Sequence, residues 1–567
     1  MVRSIKRLLA AVGRETRGLH EAAYLLAGLA LGSQLLSLVR DRLLAAHFGA
    51  SGTLDVYYAA FRLPDFLFAT LASLLSIYAL MPVLTKLEVE REGYMIAFMR
   101  SALLAFFVVY GAIAGVIFIF ATPILIWIAP GIASDPERLS ELVFLTRILL
   151  LQPMLLGLSN ILSNLTQIRN RFLLYAISPL LYNLGIIIGI VALYPRLGLA
   201  GLGWGVVLGA VLHLLIQLPF FVTEQTRDLL PRKRTYKLLR EVLVLSIPRT
   251  LALAATQISL LALVAMASFL AAGSISIFMF AFNLQAVPLA IIGVSYAVAA
   301  FPTLSRLHAG GQMKEFASYV EAAIRHIIFW CMPATILVIV LRAQLVRTVL
   351  GVGLFDWRAT RLTAAALALF MLSLTAQALS FLIARGYYAA GNTKKPFYFG
   401  IVEILVAVGS ALPLLWLFHN SLFARDFLES ILRVDDIAFA GVLMLALAYT
   451  LGSLVKFGIG FGFFARDFGI PFTRVYRLVF QSFAAAIIGG FVAYEVLDAT
   501  GHLVNIDTTL GVFLQGLLAG IIGLLVSAFV LLLLKNTEIA ETIDAARRRL
   551  KDIRKRPVVI ESTDIAS

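Results

Sequence analysis

Fourteen apolar stretches, each long enough to cross a bilayer as a helix, recur along this chain. They lie at roughly 22–46, 55–84, 95–121, 140–166, 172–194, 199–222, 242–270, 277–304, 320–342, 360–388, 396–419, 438–463, 475–497 and 508–534. About twenty consecutive apolar residues are what a helix needs to span the hydrocarbon core. No soluble core absorbs 567 residues that are 61% hydrophobic and only 14% charged, so lipid must be the solvent. Lipid offers no partner to an open strand edge, and the alternating short segments of a barrel are absent, so the spans read as α-helices. The expected fold class is an all-α polytopic membrane protein with about 14 transmembrane helices.

The spans also repeat. Residues 34–87 are answered about 220 positions later by residues 257–307. Gln34 aligns with Gln257, the Ala-Phe-Arg-Leu ending at Leu63 with the Ala-Phe-Asn-Leu ending at Leu284, and Pro82 and Lys86 with Pro302 and Arg306. Six spans is an even number, so the two copies enter the membrane in the same direction, as two parallel six-helix repeats with the substrate handled between them. The expected organisation is a basic N-terminus at 1–19, an N-lobe at 20–223, a basic linker at 224–241 and a C-lobe at 242–465. Two added spans at 466–534 and a basic tail at 535–567 follow.

Cationic loops resist translocation and stay cytoplasmic. Arg3, Lys6, Arg7, Arg14 and Arg17 precede the first span, and Arg227, Arg232, Lys233, Arg234, Lys237 and Arg240 fill the linker. Lys535, Arg547, Arg548, Arg549, Lys551, Arg554, Lys555 and Arg556 crowd the tail, so both termini are expected in the cytoplasm. The opposite loops after Gly49, Pro195, Ala271 and Thr500 carry almost no basic residues; one loop dissents, with Arg342, Arg347, Arg358 and Arg361. The net charge of +15 is then a topology signal and an attraction to anionic membrane lipids, not a sign of nucleic-acid binding. The single Cys331 sits in an apolar run and excludes a disulfide framework or thiolate metal cluster. No phosphate-binding GxxxxGK[ST] loop and no HExxH occurs, so no nucleotide, catalytic or metal site is expected. The basic first 20 residues run into a full span without a small-residue cleavage site, which argues against a removable signal peptide.

An ionisable residue at mid-bilayer costs about 2.5–3.5 kcal/mol on insertion scales and so faces protein or water. The first hairpin concentrates such residues. Ser33, Ser37 and Arg40 share one face of the first span, with Gln34 and Asp41 one step round; Tyr58, Arg62, Asp65 and Ser73 follow on the second. Arg40 lies eleven residues before Ser51 at the hairpin tip and Arg62 eleven after it, so their guanidinium groups sit at similar depth. Asp41, Asp65 and Asp55 are available partners. Either the pairs tie the two helices together, or at least one arginine is left to grip an anionic group, for which its fork suits phosphate. In the second copy the Arg62 position is Asn283 and the Asp55 position is Ser276, which places the substrate's charged end against the first half. Arg249, beside Pro248, reads as a cavity residue or a snorkelling headgroup contact. Arg147 and Glu403 are lone charges within spans, candidates for an ion or proton relay or for local pairing. The segments QIRNRF at 167–172 and RGYYAAGNTKKPF at 385–397 read as topology anchors at equivalent ends of the two halves.

The run SLVRDRLLAAHFGASGTLDVYYAAFRLP resembles the first-hairpin signature of the MurJ/MviN lipid II flippases, and NRF at 170–172, QIS at 257–259, LFDW at 354–357 and GYYAAGNTKKP at 386–396 follow the same family order. The resemblance implies an exporter fold of the multidrug/oligosaccharidyl-lipid/polysaccharide kind, with helices 13 and 14 forming a groove for an undecaprenyl tail. It implies alternating-access transfer of lipid II, or a similar undecaprenyl-diphosphate glycan, across a bacterial inner membrane, with no cofactor and with coupling to an ion gradient or the membrane potential. By position, Arg40 and Asp41 match the family's Arg-Asp, Asp55 its hairpin aspartate and Arg62 its basic residue before Leu-Pro. Gln257, Asn283 and Gln285 would add uncharged contacts from the other lobe. The chain departs from the pattern at Gln34 and Asn283, where the family has arginines, at Phe68, Ala69 and 72–76, and at Asn392, which stands where a family-type sodium site has an acid. The alternatives are a carrier of another polyprenyl-linked oligosaccharide and a non-transporting scaffold that docks cell-wall synthesis proteins through its basic tail.

Overall fold

The computed structural model describes residues 19–544 and Arg547, apart from 76, 170, 224–227, 229, 436, 438, 439, 471, 472, 502–504, 506 and 507. The basic N-terminus and most of the basic tail lie outside the described residues, as does the side chain of Arg249. Among the described residues every regular element is a helix.

The first half comprises α1 (Leu19–Phe48), α2 (Gly52–Leu67), α3 (Ile77–Glu90), α4 (Glu92–Ile119), α5 (Pro136–Leu149), α6 (Leu151–Ile168), α7 (Phe172–Ile188) and α8 (Leu199–Leu215). The second comprises α9 (Arg232–Ala267), α10 (Ser274–Pro288), α11 (Ser295–Ala309), α12 (Met313–Val340), α13 (Trp357–Met371), α14 (Leu374–Ala389), α15 (Lys394–Asn420) and α16 (Val442–Phe468). Two more, α17 (Thr473–Gly501) and α18 (Thr509–Leu533), follow. Each of the fourteen expected positions holds helix. By length and composition ten described helices can cross a membrane, and the bent pair α13–α14 makes an eleventh. The remaining three expected spans are α1, the interrupted pair α2–α3, and α8, which has only 17 residues.

The duplication is written in the irregularities. A π-helical turn interrupts the second span at Phe68–Ala72 and its counterpart at Leu289–Val294. Short helices begin at Ala121 and at Arg342, and aspartate N-caps stand at Asp135 and Asp356. In each pair the positions differ by 221. π-bulges and broken turns are identifiable sources of helix bending, so the repeat carries its kinks as well as its hydrophobic pattern.

Glycine sets the closest helix approach. On α8, a Cβ at Gly205 would fall 2.3 Å from the Cα of Gly189, and at Gly209 2.3 Å from the Tyr182 carbonyl oxygen, the small-residue packing that lets membrane helices touch backbone to backbone. The Gly49–Gly52 turn marks one end of the molecule, the tip end. The opposite, basic end is laced by ion pairs such as Arg169–Glu88 at 3.1 Å and Arg91–Asp228 at 2.9 Å.

Helices α17 and α18 pack on each other and on α12. Past α18 the chain reverses through Lys535, whose φ is 51°, and Asn536 caps a short helix at 537–544. Its side-chain nitrogen donates to Gln481 Oε1 at 3.0 Å, and its oxygen accepts from the Ile539 N–H at 3.1 Å. Ile539 packs with Phe329, Ala485 and Leu531, and the buried Glu538 meets Arg325 of α12 at 3.3 Å. Removing Arg325 strands that carboxylate. Breaking a buried pair costs about 3–5 kcal/mol, and the partial exposure of Arg325 puts Arg325→Ala at the low end, about 3 kcal/mol. The expected result is a lower melting temperature and faster hydrogen exchange across 537–544; unchanged exchange there would show that the pair does not hold the segment.

Candidate functional site

The two halves meet along a seam in which α1 and α2 face α9, α10 and residues 348–354. At the tip end the seam is bonded shut. Asp55, in the first turn of α2, accepts from the backbone N–H of Gly273 at 2.6 Å, the N–H of Ser276 at 2.7 Å and the Ser276 hydroxyl at 2.6 Å. A carboxylate is thus set on the N-terminus of α10, where unpaired N–H groups and the helix dipole favour negative charge. Gly273 is required there: its φ is 92°, and a Cβ would lie 2.3 Å from the Ala50 carbonyl oxygen. The Leu354 N–H donates to the Ala46 carbonyl at 3.0 Å, the Gly131 N–H donates to Ser268 Oγ at 2.9 Å, and Arg42 donates to the Thr348 carbonyl.

Toward the basic end the seam is held by α9 against the second span and the start of α4, where Arg234 lies over the Tyr94 ring. Ser73 and Thr250 share a hydroxyl hydrogen bond of 2.8 Å, Ser246 donates to the Leu74 carbonyl at 2.7 Å, and Arg234 pairs with Glu90. On the other flank α1 packs on α7 of its own half and α11 on α12 and α14 of its own. Leu31, Leu35 and Val39 on α1 and Val298 on α11 are all more than 40% exposed. The molecule is closed at the tip and has apolar helix faces bare on one flank of its basic end.

The charged residues lie between these two tiers. Asp41 is buried and divides its oxygens. Oδ1 accepts from Arg40 Nε at 2.9 Å and Nη2 at 2.8 Å, while Oδ2 accepts from Asn283 Nδ2 at 3.1 Å across the seam. Arg40 also donates Nη1 to Asn183 Oδ1 on α7 at 3.2 Å and Nη2 to Ser37 Oγ at 3.2 Å, and Asn183 in turn donates to Ser33 Oγ at 3.4 Å. Arg62 donates Nε to the Tyr58 carbonyl at 3.3 Å and pairs with Asp65 at 3.2 Å. The Tyr58 ring meets Phe280 of α10 edge-on at 5.7 Å, with its hydroxyl buried and unpartnered. Two guanidinium groups are balanced by two carboxylates, and the carboxylates are not equivalent: the Asp41 side chain is 3% exposed and that of Asp65 30%.

Neither of the two arrangements expected for the arginines is found: Arg40 and Arg62 are both paired, and each pairs with an aspartate of its own helix, Asp41 and Asp65, so that the ion pairs do not tie the first two spans together. Asp55 pairs with neither; it bonds the tip of the opposite half instead. Gln285 does not face the seam. It is buried within the second half and donates to the Phe370 carbonyl at 2.9 Å, because two helical steps past Asn283 turn a side chain to the far face. Gln34 and Gln257 are half-buried on α1 and α9. Glu403 pairs with Lys456 at 2.8 Å and accepts from Ser453 at 3.4 Å, and Arg147 donates to the Phe118 carbonyl at 3.1 Å, so both find local partners. Asn392 accepts from the Lys395 N–H at 3.3 Å at the start of α15. Sequence reasoning missed Asn183, although an asparagine within an apolar span is itself a signal.

Two like-oriented six-span halves, bonded along a seam that is shut at one end and polar at its centre, define the fold of a two-lobed membrane transporter. A solved structure described as the lipid II flippase MurJ in an inward closed conformation matches with a TM-score of 0.69 at 21% identity, covering 90% of this chain and 99% of that one. An inward-facing multidrug resistance MATE family transporter of the MOP superfamily matches with a TM-score of 0.62 at 15% identity, covering 77% and 94%. The lipid II flippase MurJ of Burkholderia cenocepacia is 27% identical over 401 residues, which is 68% of this chain and 77% of that protein. The family model for lipid II flippase MurJ matches residues 44–513. The chain belongs to the lipid II flippase MurJ family.

Proposed function

We propose that this chain moves lipid II across the bacterial cytoplasmic membrane by alternating opening of its two halves. The observation that carries the reading is the position of the Arg40–Asp41–Asn283 and Arg62–Asp65 groups, midway along a seam closed at the tip end. The basic end faces the cytoplasm, since it carries the linker and tail cations, and both termini lie on that side. The bare flank between α1 and α11 admits a lipid whose head enters the seam while its chain stays in the bilayer.

A diphosphate finds two exchangeable positions. Asp65 is the more exposed carboxylate, so a phosphate oxygen replaces it at Arg62 with charge-assisted bonds of the same kind. At Arg40 it replaces the neutral oxygen of Asn183, a weaker acceptor, while Asp41 keeps the guanidinium oriented. Asn283 and Gln257 supply uncharged contacts from the second half. The chain supplies no covalent chemistry, and without a nucleotide motif the drive comes from an ion gradient or the membrane potential. Anionic lipids meet the cations of the basic end.

The test is replacement of the resident lipid II flippase in a depleted bacterium. The chain should restore growth, Arg62→Ala should lose it, and Arg40→Ala should lose it at normal membrane abundance. Full rescue by both variants would rule out this assignment of contacts.

A further inference from the structure

Between α15 and α16 the tip end carries a helix that none of the spans accounts for. Leu422–Leu432 follows α15 after the single residue Ser421, whose hydroxyl accepts from the Ala424 N–H at 3.3 Å as its N-cap. It ends at Arg433, left-handed with φ at 58°, whose N–H donates to the Glu429 and Ser430 carbonyls. Its 11 residues reach about 16 Å at about 1.5 Å each, half of the roughly 30 Å hydrocarbon core, so it is not a span. Nor is it loose. Arg361 of α13 donates Nε to the Arg433 carbonyl at 3.1 Å, and Arg433 donates Nη2 to the Tyr494 hydroxyl of α17 at 3.3 Å.

At about 100° per residue its positions sort into three arcs. Ala424, Leu428 and Leu432 form the first: the helix packs on α15, with Leu432 buried in the core and Leu428 against it. Arg425, Asp426, Glu429 and Ser430 form the second, with Leu422 among them at the first position. Phe423, Phe427 and Ile431, at i, i+4 and i+8, form the third, and they are 81%, 54% and 59% exposed. The two rings stack on each other, 6.1 Å between centres and 15° between planes. Such a face is bare toward water or toward lipid, and the adjoining span decides which. On α15, Leu405, Leu412 and Trp416 stand at i, i+7 and i+11 on one exposed face. That face ends in an indole just before Ser421, where aromatic side chains mark the boundary between membrane and water. The short helix begins at this depth. A helix with one sharply apolar arc and one charged arc, too short to cross, lies in the plane of the interface.

We propose that Leu422–Leu432 is an interfacial helix of the tip-side leaflet, with Phe423, Phe427 and Ile431 sunk among the acyl chains just below the headgroups and Asp426 and Ser430 in the headgroup layer. Arg425 lies 3.7 Å from Asp426, and Glu429 adds a second negative charge, so the polar arc is not cationic and the partner is the phospholipid surface itself, whatever its charge. The inference is independent of the cargo. The test uses the full chain with Cys331→Ala in phosphatidylcholine proteoliposomes, carrying one nitroxide at a time on Phe423→Cys, Asp426→Cys, Phe427→Cys, Ser430→Cys or Ile431→Cys. Power-saturation EPR compares collision with oxygen, which partitions into lipid, and with a water-soluble nickel chelate. The expected result is a several-fold higher oxygen-to-chelate ratio at the three apolar positions than at Asp426 and Ser430, unchanged when phosphatidylglycerol replaces part of the phosphatidylcholine. Melting temperatures should not move, since the replaced side chains are exposed. Chelate reaching all five positions equally would place the face in water and overturn the proposal. Exclusion of both reagents from the apolar face would mean that a second copy or another protein segment covers it, which overturns it equally. Insertion seen only with phosphatidylglycerol would refute the charge-independent partner.

Discussion

Asp41→Ala is expected to abolish transport and to be the most destabilising single change in the seam. Its carboxylate is buried and satisfies Arg40 with one oxygen and Asn283 with the other. Truncation leaves the guanidinium with only Asn183 and Ser37, both neutral, and frees Asn283 on the opposite half. Stranding one member of a buried pair costs about 3–5 kcal/mol, which thermal melting in detergent would register. Removing both charges distinguishes folding from function. Arg40→Met/Asp41→Leu, which leaves no unpaired ion, should recover most of the lost stability without recovering transport. Recovery of transport in that double variant would show that the pair is a strut only.

The second large effect is expected at the tip. Asp55→Ala removes three hydrogen bonds between the halves and leaves the N–H groups of Gly273 and Ser276 without their acceptor. Hydrogen bonds to a charged group contribute about 1.5–3 kcal/mol each, so losing them shifts a closed-to-open equilibrium at the tip by roughly a hundredfold or more. Spin labels at Glu137 and Phe269, exposed positions on opposite sides of the seam, should report a new population at longer distance in the variant. An unchanged distance distribution would mean that Asp55 caps α10 without latching the tip.

Much of the fold was legible because the bilayer enforces it. Apolar length sets the spans, and an even number of spans fixes the parallel relation of the halves. The site was legible in part. The repeat frame pairs Asp55 with Ser276, and the two are found in contact, as equivalent residues must be when they lie near the axis relating two parallel repeats. The same frame pairs Arg62 with Asn283, yet Asn283 bonds Asp41, because the partner of a seam residue depends on how far the halves are rotated, which spacing along a chain does not encode. Arg40 and Asp41 are adjacent and their Cβ atoms point apart on the helix; only the long arginine side chain folding back makes them a pair. Gln285 was misplaced by counting polarity without phase. Asn183 was missed because its role comes from α7 crossing α1, a tertiary contact between spans about 150 residues apart.

Lipid II should cross between the two halves only when the tip seam opens, and a reversible lock across that seam checks this. In a Cys331→Ala background, cysteines replacing Ala50, which lies against Gly273, and Ala272, which precedes Gly273, would be joined by a short cleavable cross-linker in proteoliposomes carrying labelled lipid II. The predicted result is that cross-linked protein delivers no lipid II to the leaflet facing the tip end and that cleaving the linker restores delivery. Delivery at the full rate through a cross-linked tip would contradict the account.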